Sequence, residues 1–151
     1  MRCSGTSPWL LALSLGVAAP AADAAPLAHR AVQVIEVGSH PVSVTLEEQG
    51  ATVIIAAECL IPREPQAVWR ILSDYDHLQE FVPFLTSSRV IGREADALIL
   101  RQEGRAGLLG FQRRFTVTFR VQERPPSDIR FDSVAGDFTR FSGRWHLERR
   151  P

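Results

Sequence analysis

The chain has 151 residues, one domain's worth, and its 17 basic side chains balance 17 acidic ones. Every basic side chain is an arginine, so Schiff-base chemistry and the lysine-dependent phosphate loop are excluded. The arginines are interspersed with acids, which speaks against a nucleic-acid face because that needs concentrated positive charge.

The N-terminus reads as an export signal. Arg2 supplies the positive start, Trp9 to Ala19 an apolar run, Pro20 a break, and Ala22-Asp23-Ala24 a small-x-small cleavage pattern. The run is too short for a spanning helix, which needs about 20 apolar residues. The expectation is a signal peptide over residues 1–24, a leader or linker over 25–41, a domain over 42–151, and a periplasmic or secreted product. Cleavage would leave Cys59 as the one cysteine, excluding an internal disulfide and two-cysteine metal frameworks.

Val42, Val44 and Leu46 alternate with Ser43, Thr45 and Glu47, which predicts a strand. Gln49-Gly50 is a turn signal, and Thr52 to Ile61 completes a hairpin. Pro65 suits the first position of a helix carrying Val68, Ile71, Leu72 and Tyr75 at helical spacing. Asp76, with Gln79 three residues on, predicts a capped second helix that Pro83 ends. The period then becomes two. Ala97 to Gln102 is apolar on both faces, and Gly104 to Gly110 reads as a glycine-punctuated connection. Phe115, Val117, Phe119 and Val121 alternate strictly with polar residues, predicting one buried and one wet face. Pro125 to Asp128 is a turn, Ile129 to Val134 a short strand, and Phe141, Gly143, Trp145 and Leu147 share one face of a last strand. Strands, two helices, then a run of antiparallel strands make an α+β fold with helices on one side of a curved sheet.

The segments Pro65-Gln66-Ala67-Val68-Trp69, Asp74-Tyr75-Asp76-His77-Leu78 and Phe81-Val82-Pro83 resemble the polyketide cyclase/dehydrase and lipid-transport family, within the START-like (SRPBCC) helix-grip superfamily. Ser87-Ser88-Arg89-Val90, Gln102-Glu103-Gly104, Val134-Ala135-Gly136-Asp137-Phe138 and Gly143-Arg144-Trp145 extend the resemblance to roughly Val42–Glu148. It implies a curved antiparallel sheet gripping a C-terminal helix around a deep apolar cavity, used to bind or carry lipids, isoprenoid quinones or polyketides, or in some members to cyclise or dehydrate a reactive chain. The family pattern continues past the Trp145 strand with two strands and the gripping helix. This chain stops at Arg149-Arg150-Pro151, so the expectation is a START-like domain lacking that helix, with an open groove and an uncovered sheet face suited to self-association.

Candidate chemistry is sparse. There is no Gly-x-Ser-x-Gly elbow, and His29, His40, His77 and His146 form no ligand pair at helical spacing. No catalytic residue, metal ligand or cofactor is assigned. His77 beside Asp74 and Asp76 reads as a solvated helix start. Leu108 and Leu109 are gate candidates over the cavity mouth, and Phe81, Phe111, Phe115, Phe119, Phe141 and Trp145 are cavity-wall candidates. Arg113 shares strand parity with Phe115 and Val117, so it is expected to point inward at the strand end, where two readings stand: snorkelling to solvent at the sheet rim, which the nearby water favours, or orienting a ligand carbonyl or carboxylate. The leading expectation is a binder of a hydrophobic small molecule, with transient membrane contact. The alternatives are a cyclase or dehydratase using Arg113 and Tyr75, and a protein-interaction module using the groove.

Overall fold

A computed structural model describes residues 9–18, 30–37, 40–108 and 111–149. The described strands are β1 (Trp9–Ala18), β2 (Arg30–Val37), β3 (His40–Gln49), β4 (Thr52–Ile61), β5 (Leu85–Arg93), β6 (Leu98–Leu108), β7 (Phe111–Arg124), β8 (Asp128–Gly136) and β9 (Arg140–Arg149). They form one antiparallel sheet in the order β2-β3-β4-β1-β9-β8-β7-β6-β5. Between β4 and β5 the chain makes helix α1 (Pro65–Leu72) and a 3-10 helix, Tyr75–Glu80. Sheet-rich α+β is therefore the architecture.

The hairpin expected from Gln49-Gly50 forms between β3 and β4, with Gly50 at φ 60°, a left-handed angle that glycine adopts at no steric cost. α1 begins on Pro65, whose missing N–H would have had no helical partner, and buries Pro65 and Val68. The second helix departs from its expected form. It is a 3-10 helix, and Asp76 does not cap it; its Oδ1 accepts from the Val90 backbone N–H at 2.8 Å, tying the helix to β5. Gln79 reaches the Asp76 carbonyl instead of completing a capping box.

Two expectations about connections need correction. Gly104 to Leu108 is no loose connection: it continues β6, because Gly104 pairs with Phe115 and every residue on to Leu108, opposite Phe111, has a partner in β7. Arg30–Val37, expected within a linker, is a strand paired with β3. Trp9–Ala18, expected as the apolar part of an export signal, lies as a strand between β4 and β9, with Leu13 opposite both Ala57 and Trp145.

The core sits where the two helices face the sheet. Val117, Phe119 and Val121 of β7, Leu98 and Leu100 of β6, Ile129 of β8 and Tyr75 are buried together. On β7 the alternation read from sequence holds: these residues are buried, whereas Thr116, Thr118 and Arg120 stay partly exposed. β8 gains a residue, Val134, against β7, and two residues further on Gly136 pairs with Val117 at φ 123°. A Cβ there would lie 2.2 Å from the Thr116 carbonyl oxygen, so only glycine lets the strands approach this closely.

Candidate functional site

A cavity of about 540 Å³ opens between the helices and the inner face of the sheet, within the 300–1,000 Å³ usual for small-molecule sites. Ile71 and Leu72 from the end of α1, Tyr75 and Leu78 from the 3-10 helix, and Phe81, Val82 and Leu85 beyond it form one wall. Leu100 and Gln102 of β6, Phe119 and Val121 of β7, Ile129 and Phe131 of β8, and Phe141 and Trp145 of β9 form the other. The sheet wall follows from period-two alternation, which sends every second side chain of neighbouring strands to one face.

The aromatic part of that wall is rigidly packed. Phe119 meets Phe131 and Phe141 edge-to-face with ring centroids 5.3 Å apart, and Phe141 meets Phe138 at the same distance. Such pairs prefer this geometry because the positive ring edge faces the negative ring face.

None of the lining residues carries a charge, and hydrogen-bonding capacity is confined to Tyr75, Gln102 and Trp145. The Tyr75 hydroxyl donates to Glu123 Oε1 at 2.7 Å. Burial first, then the bond and the negative charge of Glu123, push the phenol's pKa far upward, so it stays neutral. Gln102 Nε2 donates to Ser88 Oγ at 3.1 Å, and Ser88 is buried on the neighbouring strand.

The sequence-predicted site residues separate clearly. Phe81, Phe119, Phe141 and Trp145 line the cavity, Phe81 half-exposed at its mouth. Phe115 lies outside the lining; its ring packs edge-to-face on Phe138 and sits over Gly104. Arg113 is exposed, opposite Ala106 near the end of the β6–β7 hairpin, and is absent from the wall. Six residues separate it from Phe119, the first wall residue of β7, a distance of ~20 Å along a strand. Phe111 and Leu108 pair through their backbones where the hairpin ends, but their side chains, and Leu109 altogether, lie outside the described residues. Gln102 was passed over in sequence as a strand end; its signal was one polar residue inside an otherwise apolar, inward-facing parity set.

The opposite face of the sheet is ionic. Asp128, whose side chain is 9% exposed, receives Arg144 through Nε at 2.5 Å and Nη2 at 2.6 Å, and His146 Nδ1 lies 2.8 Å away. The Arg144 bonds, helped by His146, hold its pKa down at about 2 against the opposing effect of burial. Arg120 bridges Glu94 at 2.9 Å and Asp96 at 2.6 Å on the same face. His77 pairs with Asp74 at 2.7 Å in the open, and that bond raises its pKa. Among the described residues no His, Cys, Asp and Glu cluster has the makings of a metal site, and no helix is long and apolar enough to cross a membrane.

Comparison with curated proteins and with solved structures gives no significant match. The family model for polyketide cyclase / dehydrase and lipid transport matches residues 61–151, the stretch that contains both helices and all five strands from β5 to β9. The match spans more than half of the chain and agrees with a charge-free cavity walled by aromatics, and the protein belongs to the polyketide cyclase / dehydrase and lipid transport family.

Proposed function

We propose that this protein is a carrier of an apolar small molecule, a lipid, isoprenoid quinone or polyketide-like chain, held between the sheet and the two helices that follow β4. The support is the cavity wall, which is large enough for such a ligand and presents no charge to it. The carrier reading is preferred to a cyclase or dehydratase because the Tyr75 hydroxyl is already engaged by Glu123 and Arg113 stands away from the cavity. Ile71, Phe81 and Val82 line the cavity and are also exposed, so an apolar ligand leaving a membrane meets apolar surface at the mouth. The carrier is proposed to act outside the cytoplasm, on the strength of Arg2, the apolar run and the Ala22-Asp23-Ala24 pattern.

Native mass spectrometry of gently purified protein should find a co-purifying lipid or quinone. Protein that stays empty and takes up no fluorescent lipid would sink the carrier reading. N-terminal sequencing of the cell-envelope or medium fraction should begin at Ala25; intact Met1 in cytosolic protein would remove the export proposal and leave the cavity untouched.

A further inference from the structure

Among the described residues of the sheet wall, Gln102 is the one that can both donate and accept, and its side-chain bonding is unfinished. Among the described residues its one hydrogen bond is from Nε2 to Ser88 Oγ at 3.1 Å. Ser88 is 1% exposed and so anchors the amide in one orientation. Gln102 is part-buried and lines the cavity, and no hydrogen bond to its amide oxygen is made by the described residues. A second Nε2 hydrogen is likewise unused, since a glutamine amide has two donors.

Three ligand types meet this arrangement differently. A charged headgroup inside would find no counter-charge among the lining residues, and an unpaired buried charge is strongly unfavourable. A plain hydrocarbon would displace water from the Gln102 carbonyl and return no hydrogen bond, leaving a buried polar atom unsatisfied. A neutral group that both donates and accepts satisfies the free oxygen and the free N–H together. We propose that the cavity selects a neutral amphiphile whose polar end is a hydroxyl or a carboxamide seated on Gln102. This rests on the carrier reading and adds the chemical class of the ligand's polar end.

The test is displacement of the neutral fluorophore N-phenyl-1-naphthylamine from the full chain by ligands of one chain length: 1-dodecanol, dodecanamide, methyl dodecanoate, dodecane and, at pH 8, dodecanoate. Dodecanol and dodecanamide should displace it at concentrations about three- to tenfold lower than methyl dodecanoate or dodecane, the worth of one neutral hydrogen bond, with dodecanoate weakest. Gln102→Met, close in size and without the amide, should erase the preference for the alcohol, weakening dodecanol and strengthening dodecane, since the hydrocarbon then leaves no amide unsatisfied. Equal displacement by dodecanol, dodecane and dodecanoate would overturn the assignment while leaving the carrier reading intact. Failure of every compound to displace the probe, or of the probe to bind, would overturn both. If Gln102→Met does not fold, the ranking measured on the native chain still decides.

Discussion

The two halves of the sheet have similar sequence character and very different interiors. β4 reads Thr-Val-Ile-Ile-Ala-Ala-Glu-Cys-Leu-Ile and is more continuously apolar than β7, yet none of its residues is buried, and the same holds for every residue of β2 and β3 whose burial is described. The buried apolar residues run from Pro65 to Leu147, and on the sheet the large ones belong to β6–β9. Across the cavity, α1 and the 3-10 helix face residues of those four strands, and no described residue of β2–β4 lines it. An apolar strand face becomes core only when a second layer lies over it, so hydrophobicity marks the faces able to be buried, and the path of the helices decides which ones are.

The largest expected effect sharpens this contrast. Phe119→Ala should lower stability by about 3–5 kcal/mol in chemical denaturation, as truncation of a packed core aromatic does. Ile55→Ala in β4, half-exposed, should cost only about 1 kcal/mol, and Thr118→Ala on the outer face of β7 less still. Equal losses at Phe119 and Ile55 would mean that the N-terminal half is covered as well as the C-terminal half.

A second contrast lies within the covered half. A Cβ on Gly104 would sit 2.5 Å from the tip of the Phe115 ring and 2.7 Å from the Phe84 carbonyl oxygen, whereas one on Gly92 would meet Ile99 at an ordinary 3.6 Å. Gly104→Ala should therefore destabilise by roughly 1–3 kcal/mol through overpacking, and Gly92→Ala should be close to neutral. Thermal melts showing the two alanines alike would break the assignment of Phe115 as a lid over Gly104.

The smallest of these effects sets the ionic outer face against the apolar inner one. Asp128 is held below its unfolded pKa, so its contribution is fully present above about pH 4 and is lost as pH falls through about 2. The loss across that window should be about 1–2 kcal/mol, reduced from the full linkage value because Arg144 is partly in water. Asp128→Asn should flatten that part of the stability-versus-pH curve, and an unchanged slope would show that other carboxylates carry it.

Much of the covered half was legible. The strict alternation of β7 identifies its inner face, and Phe119, Phe141 and Trp145 line the cavity, as expected from parity together with the family resemblance, which makes that face a cavity wall. Arg113 shows what parity omits: it assigns a face but not how far along the strand the cavity reaches. Gln102 was missed for the complementary reason, since β6 was read as ending there when it runs on to Leu108. Asp76 was read as a local cap because capping is a short-range pattern, whereas its real partner is 14 residues away on β5. At Trp9–Ala18 a run of apolar residues has no periodicity to separate a strand from the apolar part of an export signal.

That N-terminal strand has a consequence in time. β1 has β4 on one side and β9 on the other, and it alone joins the two halves of the sheet. During synthesis at about 5–20 residues per second, β4 follows β1 within about 2–9 seconds, but β9 is made roughly 6–26 seconds after β1. For most of its synthesis the chain therefore holds an apolar N-terminal segment with only one flank occupied, and the sheet becomes continuous only after its last strand emerges.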